Sequence, residues 1–231
     1  MPPIQQILQQ YPQVGILPRS FLLGSDFQQF AAELTGPVEI IRWTWYSFVA
    51  YAAGGQVQLL FFTQNFGQAA NGYLDTNLQV GGQMSGGEAM VVRNVRVVPI
   101  PAQADAAPQT GLAANAIRDW YNVLNLGWLE LGVSDKIYVR GAPLTLFPAG
   151  QGFGTFHTNS ALTGAAFSGT NVSLVQNGDP SNRALWELDP AMYVPATRTV
   201  NCALNWRVAQ PVTTAGRIGV MLDGWRVRVV Q

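Results

Sequence analysis

The stretch VEIIRWTWYSFVAY, residues 38–51, decides the fold class. It is dense in β-branched and aromatic side chains, which suit a pleated, half-buried strand. A two-residue period puts Trp43, Trp45 and Ser47 on one face. Gly54-Gly55 follows as a turn signal, and QVQLLFFT (56–63) reads as a second strand, so the two are expected to form a hairpin.

Further strands appear on moving toward the C-terminus. Residues 64–87 are rich in Gly, Asn, Gln and Ser and read as a long loop. EAMVVRNVRVVPI (88–100) returns to strand character, with Val91, Arg93, Val95 and Val97 expected on the more apolar face. A linker over 101–111 leads to the one strong helix, 112–126. There Leu112, Ala116, Trp120, Val123 and Leu124 form an apolar stripe, and Gly127 closes the end. WLELGV (128–133) and KIYVRGAPLTLF (136–147) read as strands around Ser134-Asp135. Residues 155–183 read as loop, with one weak strand at 171–176 and a turn at Asn177-Gly178-Asp179-Pro180. In 192–208, Val200, Cys202, Leu204 and Trp206 alternate with polar residues. Asp223-Gly224 looks like the turn of a closing hairpin, RIGVML then WRVRVV.

About eight to ten strands with one or two short helices exclude solenoids, propellers and alternating α/β folds. An all-β jelly-roll sandwich or barrel is expected, with one barrel preferred over two. The organisation predicted is an N-terminal arm, 1–37, followed by a jelly-roll domain, 38–231, with long loop insertions. In the arm, Pro2-Pro3 open a short helix with Ile4, Ile7 and Leu8 on one side. That stripe suits packing on its own domain, on another subunit, or against a membrane.

Charge narrows the function classes. Thirteen basic and thirteen acidic residues cancel, and charged residues make up 11% of the chain, against about 25% in an ordinary domain. Lys136 is the sole lysine. A surface short of charge and rich in amides suits lasting contact with neighbours, because interface cores are depleted in Lys, Glu and Asp. Binding nucleic acid through phosphates needs a basic stripe. Here the arginines are scattered, and the pairs Arg93/Arg96 and Arg226/Arg228 offer a local patch at most. No signal peptide or membrane span is read, so synthesis in a cytoplasm is expected. Asn171-Val172-Ser173 matches a glycosylation sequon, which has no use without a secretory route.

Chemistry-bearing patterns are sparse. Cys202 is the only cysteine, so no intrachain disulfide forms; it lies in an apolar run, as a small buried hydrophobe does. His157 is the only histidine and has no nucleophile elbow around it. Glu130, Asp135, Glu187 and Asp189 are the carboxylates that a glycosidase would draw on. Gly150, Gly152 and Gly154 lack the Lys-Ser/Thr of a phosphate loop. Trp43, Trp45, Trp206 and Trp225 are expected to fill the core or subunit contacts rather than a sugar platform. No catalytic, cofactor-binding or metal-binding residue is assigned, and no enzyme activity is expected.

Three segments resemble major capsid proteins of tailless icosahedral bacteriophages. They are Asp75-Thr76-Asn77-Leu78 with Gly82-Gln83 and EAMVVRNVRVVPI, then LELGVSDKIYVRGAPLTLFPAGQGFG, then the terminal RIGVMLDGWRVRVVQ. The resemblance implies a structural coat protein that self-assembles, in the host cytoplasm, into the shell of a virion. Its partners would be copies of itself in trimeric or pseudo-hexameric capsomers, other capsid or vertex proteins, and in such phages an internal lipid membrane. The alternatives are a carbohydrate-binding β-sandwich and a β-sandwich glycosidase.

Overall fold

A computed structural model describes residues 38–68, 71–100, 116–148, 154–158, 172–176, 186–213 and 215–229. The strands are β1 (Val38–Tyr51), β2 (Gln58–Phe61), β3 (Glu88–Ile100), β4 (Gly127–Val133), β5 (Lys136–Pro143), β6 (Gly154–Thr158), β7 (Val172–Gln176), β8 (Trp186–Val194), β9 (Val200–Trp206) and β10 (Gly216–Val229). One α-helix, α1 (Ala116–Asn125), lies between β3 and β4, and a 3-10 turn, Leu144–Leu146, follows β5.

Two four-stranded antiparallel sheets carry the order β1-β10-β3-β8 and β2-β9-β4-β5. Among the described residues, strands β6 and β7 pair only with each other, inside the β5–β8 connection. With that insertion set aside, this is the strand order of a single eight-stranded jelly roll, as the sequence led us to expect. The predicted arm, 1–37, lies outside the described residues, as do the linker over 101–111, Gly150 and Gly152.

The registers also place the connections. One end of the sandwich holds the β1–β2, β3–β4, β5–β8 and β9–β10 connections. The other holds the start of β1, the β2–β3 loop, the β4–β5 turn and the β8–β9 turn. At the first end α1 inserts Trp120 and Val123, both fully buried, against Tyr51 and Trp206. The Trp206 indole N–H donates to the Val123 carbonyl at 2.8 Å, and Asp119 accepts two bonds from Thr213, which tie the β9–β10 connection to the helix.

One continuous apolar core fills the space between the sheets. Val200, Cys202, Leu204 and Trp206 all point into it, as their alternation predicts. Each such side chain contributes roughly 1.5–3 kcal/mol on burial.

Five local expectations need correction. Strands β1 and β2 are not a hairpin: the turn at Ala52–Gly55 is present, but it carries the chain from one sheet to the other. Asp223-Gly224 is not a turn either, because β10 runs through it as one strand. The strand expected over 136–147 stops at Pro143. The run 192–208 splits into the end of β8, a turn at Pro195–Thr199, and β9. Residues 155–158, read as loop, form β6 together with Gly154.

The expected core face of β3 holds only in its second half. Val95 and Val97 point inward, but before them Met90 and Val92 do so, and Val91 does not. The reason is a β-bulge. Asp223 pairs with Asn94 and Gly224 with Val92, so the register passes over Arg93. An extra residue in one strand inverts its alternation. Gly224 permits the close approach: a Cβ there would lie 1.9 Å from the Val91 carbonyl oxygen.

Candidate functional site

The four carboxylates singled out in the sequence do not converge. Glu187 and Asp189 are exposed on β8, flanking the buried Leu188, in the first sheet. Glu130 on β4 and Asp135 in the β4–β5 turn are exposed on the second sheet. His157 is on β6, opposite Ser173, and belongs to neither sheet. Cys202 is buried in the core, which pushes its thiol pKa well up, so it is inert as a nucleophile. Among the described residues no group of three or more His, Cys, Asp or Glu is placed to hold a metal. None of the seven tryptophans is exposed: Trp45, Trp120 and Trp206 are buried, and Trp43, Trp128, Trp186 and Trp225 are half-buried.

Glu130 and Asp135 do share one feature. Both line an open depression of about 710 Å³ on the second sheet, beside Arg140. Two cross-strand rows floor it. One runs Leu60–Ala203–Glu130 across β2, β9 and β4; the other runs Asn201–Gly132–Ile137 across β9, β4 and β5. The small residues Ala203 and Gly132 make the saddle, and Leu60 and Ile137, 54% and 59% exposed, stand at its sides. Glu130, Asp135 and Arg140 form no ion pair with any described residue. Sequence reasoning missed Leu60, Ile137 and Arg140 as surface features. The signal for Leu60 lay in QLLF, where a period of two sends Leu59 and Phe61 inward and Leu60 outward.

The first sheet is different on its outward face. Arg96 forms a two-pronged pair with Asp223, at 2.6 and 2.8 Å, and the Thr44 hydroxyl donates to the same carboxylate at 2.5 Å. Arg93 lies 3.7 Å from Glu187, and Arg217 pairs with Asp75 at 2.8 Å. On the inward side of the same sheet, near the start of β1, Arg226 pairs with Glu88 and stacks on Trp43, and Arg228 pairs with Glu39 at 2.6 Å. The arginine pairs that could have formed a basic patch are thus each matched with an acid.

The free edge of β1 is sealed by the motif Asp75-Thr76-Asn77. The Asn77 side chain donates to the Thr44 carbonyl at 2.7 Å and accepts from the Tyr46 amide at 3.1 Å. The Thr76 hydroxyl donates to the Tyr46 carbonyl, and the Phe48 amide donates to the Asp75 carbonyl at 2.7 Å. A short piece of loop therefore stands where another strand could add.

No protein-family model, curated protein or solved structure matches this chain. No described helix is long and apolar enough to cross a membrane.

Proposed function

We propose that the chain is a coat subunit that assembles with copies of itself into a closed shell. The observation that carries this reading is the outward face of the second sheet. In a chain with so few charges, that face leaves Glu130, Asp135 and Arg140 without an ion pair among the described residues and exposes Leu60 and Ile137 around a concave saddle. Charges and apolar side chains left unsatisfied together suit a surface completed by a neighbour. The jelly-roll topology and the phage-capsid resemblance of the β3, β4–β5 and β10 segments support the same reading. Fold alone does not, since the jelly roll also serves lectins and cupins.

The test is assembly of the purified chain, followed by light scattering and electron microscopy. Symmetric particles, or trimers and hexamers, are expected. Leu60→Glu with Ile137→Glu is expected to abolish them while leaving the thermal midpoint unchanged, since both positions are exposed. A stable monomer at concentrations where coat proteins assemble would overturn the proposal. The saddle is also the place where a sugar would bind if the chain were a carbohydrate-binding module. That reading lacks an exposed indole to stack on, and binding of an oligosaccharide array by the monomer would establish it.

A further inference from the structure

The β2–β3 loop carries an asparagine followed by glycine, Asn71-Gly72, just ahead of the clasp on β1. The other such pair in the chain, Asn177-Gly178, lies outside the described residues. An Asn-Gly pair has a reaction of its own. The Gly72 amide nitrogen attacks the Asn71 side-chain Cγ, unhindered because glycine has no Cβ. The N–Cγ bond forms as the nitrogen gives up its proton, the Cγ–Nδ2 bond breaks, and ammonia leaves. Water then opens the succinimide to aspartate or, with the backbone rerouted through the side chain, to isoaspartate. The sum is carboxamide plus water giving carboxylic acid plus ammonia, with no oxidant or cofactor.

The folded loop holds both reacting groups. The Gly72 N–H donates to Asp75 Oδ2 at 2.9 Å, and the other oxygen of that carboxylate meets Arg217 at 2.8 Å. A carboxylate on the N–H opposes loss of its proton, because the nucleophilic anion would face a like charge. Asn71 Nδ2 donates to Gln64 Oε1 at 2.8 Å. The Asn71 backbone N–H donates to the Gln68 carbonyl, and its carbonyl accepts from the Gly67 amide, each at 2.9 Å. These bonds restrain the torsions through which Cγ would approach the nitrogen.

We infer that Asn71 is a deamidation site kept closed in the folded chain by Asp75, and that its conversion loosens the clasp on β1. The link to the clasp is short. The Gly72 carbonyl accepts from the Asp75 and Thr76 amides at 2.9 and 3.1 Å, and the Asp75 carbonyl accepts from the Phe48 amide on β1. Isoaspartate lengthens the backbone by a methylene just before Gly72 and adds a negative charge to a loop that already holds Asp75. Both changes pull on the turn that presents Asp75 and Asn77 to the strand. The inference stands independently of the coat-protein reading, since it concerns the folded single chain.

The test is a time course of the full-length chain in mildly alkaline buffer, folded and in guanidinium chloride, followed by digestion and mass spectrometry. Peptide mapping keeps Asn71 apart from Asn177, and conversion is read as an amino group replaced by the mass of a hydroxyl. Asn71 is expected to convert at least about twentyfold more slowly in the folded chain than in the denatured one, as a site reached only by local opening does. That comparison uses the unaltered chain and needs no variant to fold. Asp75→Ala is expected to raise the folded rate at least about fivefold, and Asp75→Asn, which keeps an acceptor without the charge, to raise it less. After conversion, hydrogen exchange at the Phe48 amide of the folded chain is expected to be faster than before. Equal rates in the folded and denatured chains, no conversion in the denatured chain, or a folded rate that Asp75→Ala leaves unchanged or lowers overturns the protection. Unchanged exchange at Phe48 in the converted chain overturns the link to the clasp.

Discussion

The two sheets share a core and differ on their outward faces. The first settles its polar groups within itself: Arg96 and Thr44 meet at Asp223, Arg93 meets Glu187, and the loop residue Asp75 meets Arg217. The second leaves Glu130, Asp135 and Arg140 unmatched by any described residue, beside exposed Leu60 and Ile137. The difference teaches where folding ends and recognition begins. A face whose charges are paired internally gains nothing more from a neighbour, because a new contact would first have to break those pairs. A face left open loses little on folding and gains on contact.

Substitutions on the two faces should therefore separate stability from assembly. The largest loss of stability is expected at Gly224. Gly224→Ala drives a Cβ into the Val91 carbonyl, where backbone and not side chain must move, and about 3 kcal/mol or more of folding stability should go, as read by denaturant unfolding. Asp223→Ala comes next, at about 2 kcal/mol, because it removes the shared acceptor of Arg96 and Thr44 from a nearly buried site. An unchanged unfolding midpoint in Asp223→Ala would mean the first face is not held together by that network.

Cys202 gives a pH-dependent effect of intermediate size. Burial raises its pKa in the folded chain, while in the unfolded chain it is ordinary. Its contribution is complete below the unfolded value and falls as pH rises above it, since only the unfolded chain then releases the proton. Stability should drop by about 1 kcal/mol between pH 7.5 and 9.5 from this thiol, given an unfolded pKa near 8.5. Cys202→Ala should flatten that part of the profile. The smallest change belongs to the open face. Glu130→Gln with Asp135→Asn should alter stability by less than about 0.5 kcal/mol, while weakening the salt dependence of self-association measured by light scattering.

Much of the fold was legible because the strands announce themselves. The bounds of β1 and β3 follow from composition, and the inward face of β9 follows from strict alternation. What stayed hidden was pairing. Gly54-Gly55 marks a turn in either topology, since a local signal carries no record of which sheet receives the next strand. Asp223-Gly224 has the residues of a tight turn, yet glycine is present there to admit a neighbouring backbone across a bulge. The same bulge inverted the first half of β3, which no count along the sequence registers. On the second face, the alternation of LELGV sends Leu129 and Leu131 inward and Glu130 outward. The saddle itself, made by Ala203 and Gly132 meeting across strands, required the register.

The clasp on β1 has a consequence for any crowd of such molecules. A backbone strand added to an edge offers a fresh edge of its own, so the addition can repeat without limit. The carboxamide of Asn77 supplies the same donor and acceptor but ends at its own Cγ, so the ladder terminates there. Asn77→Ala, costing about 1 kcal/mol, should expose that edge and turn concentrated solutions toward thioflavin-positive filaments. One amide side chain thus divides growth that stops from growth that does not.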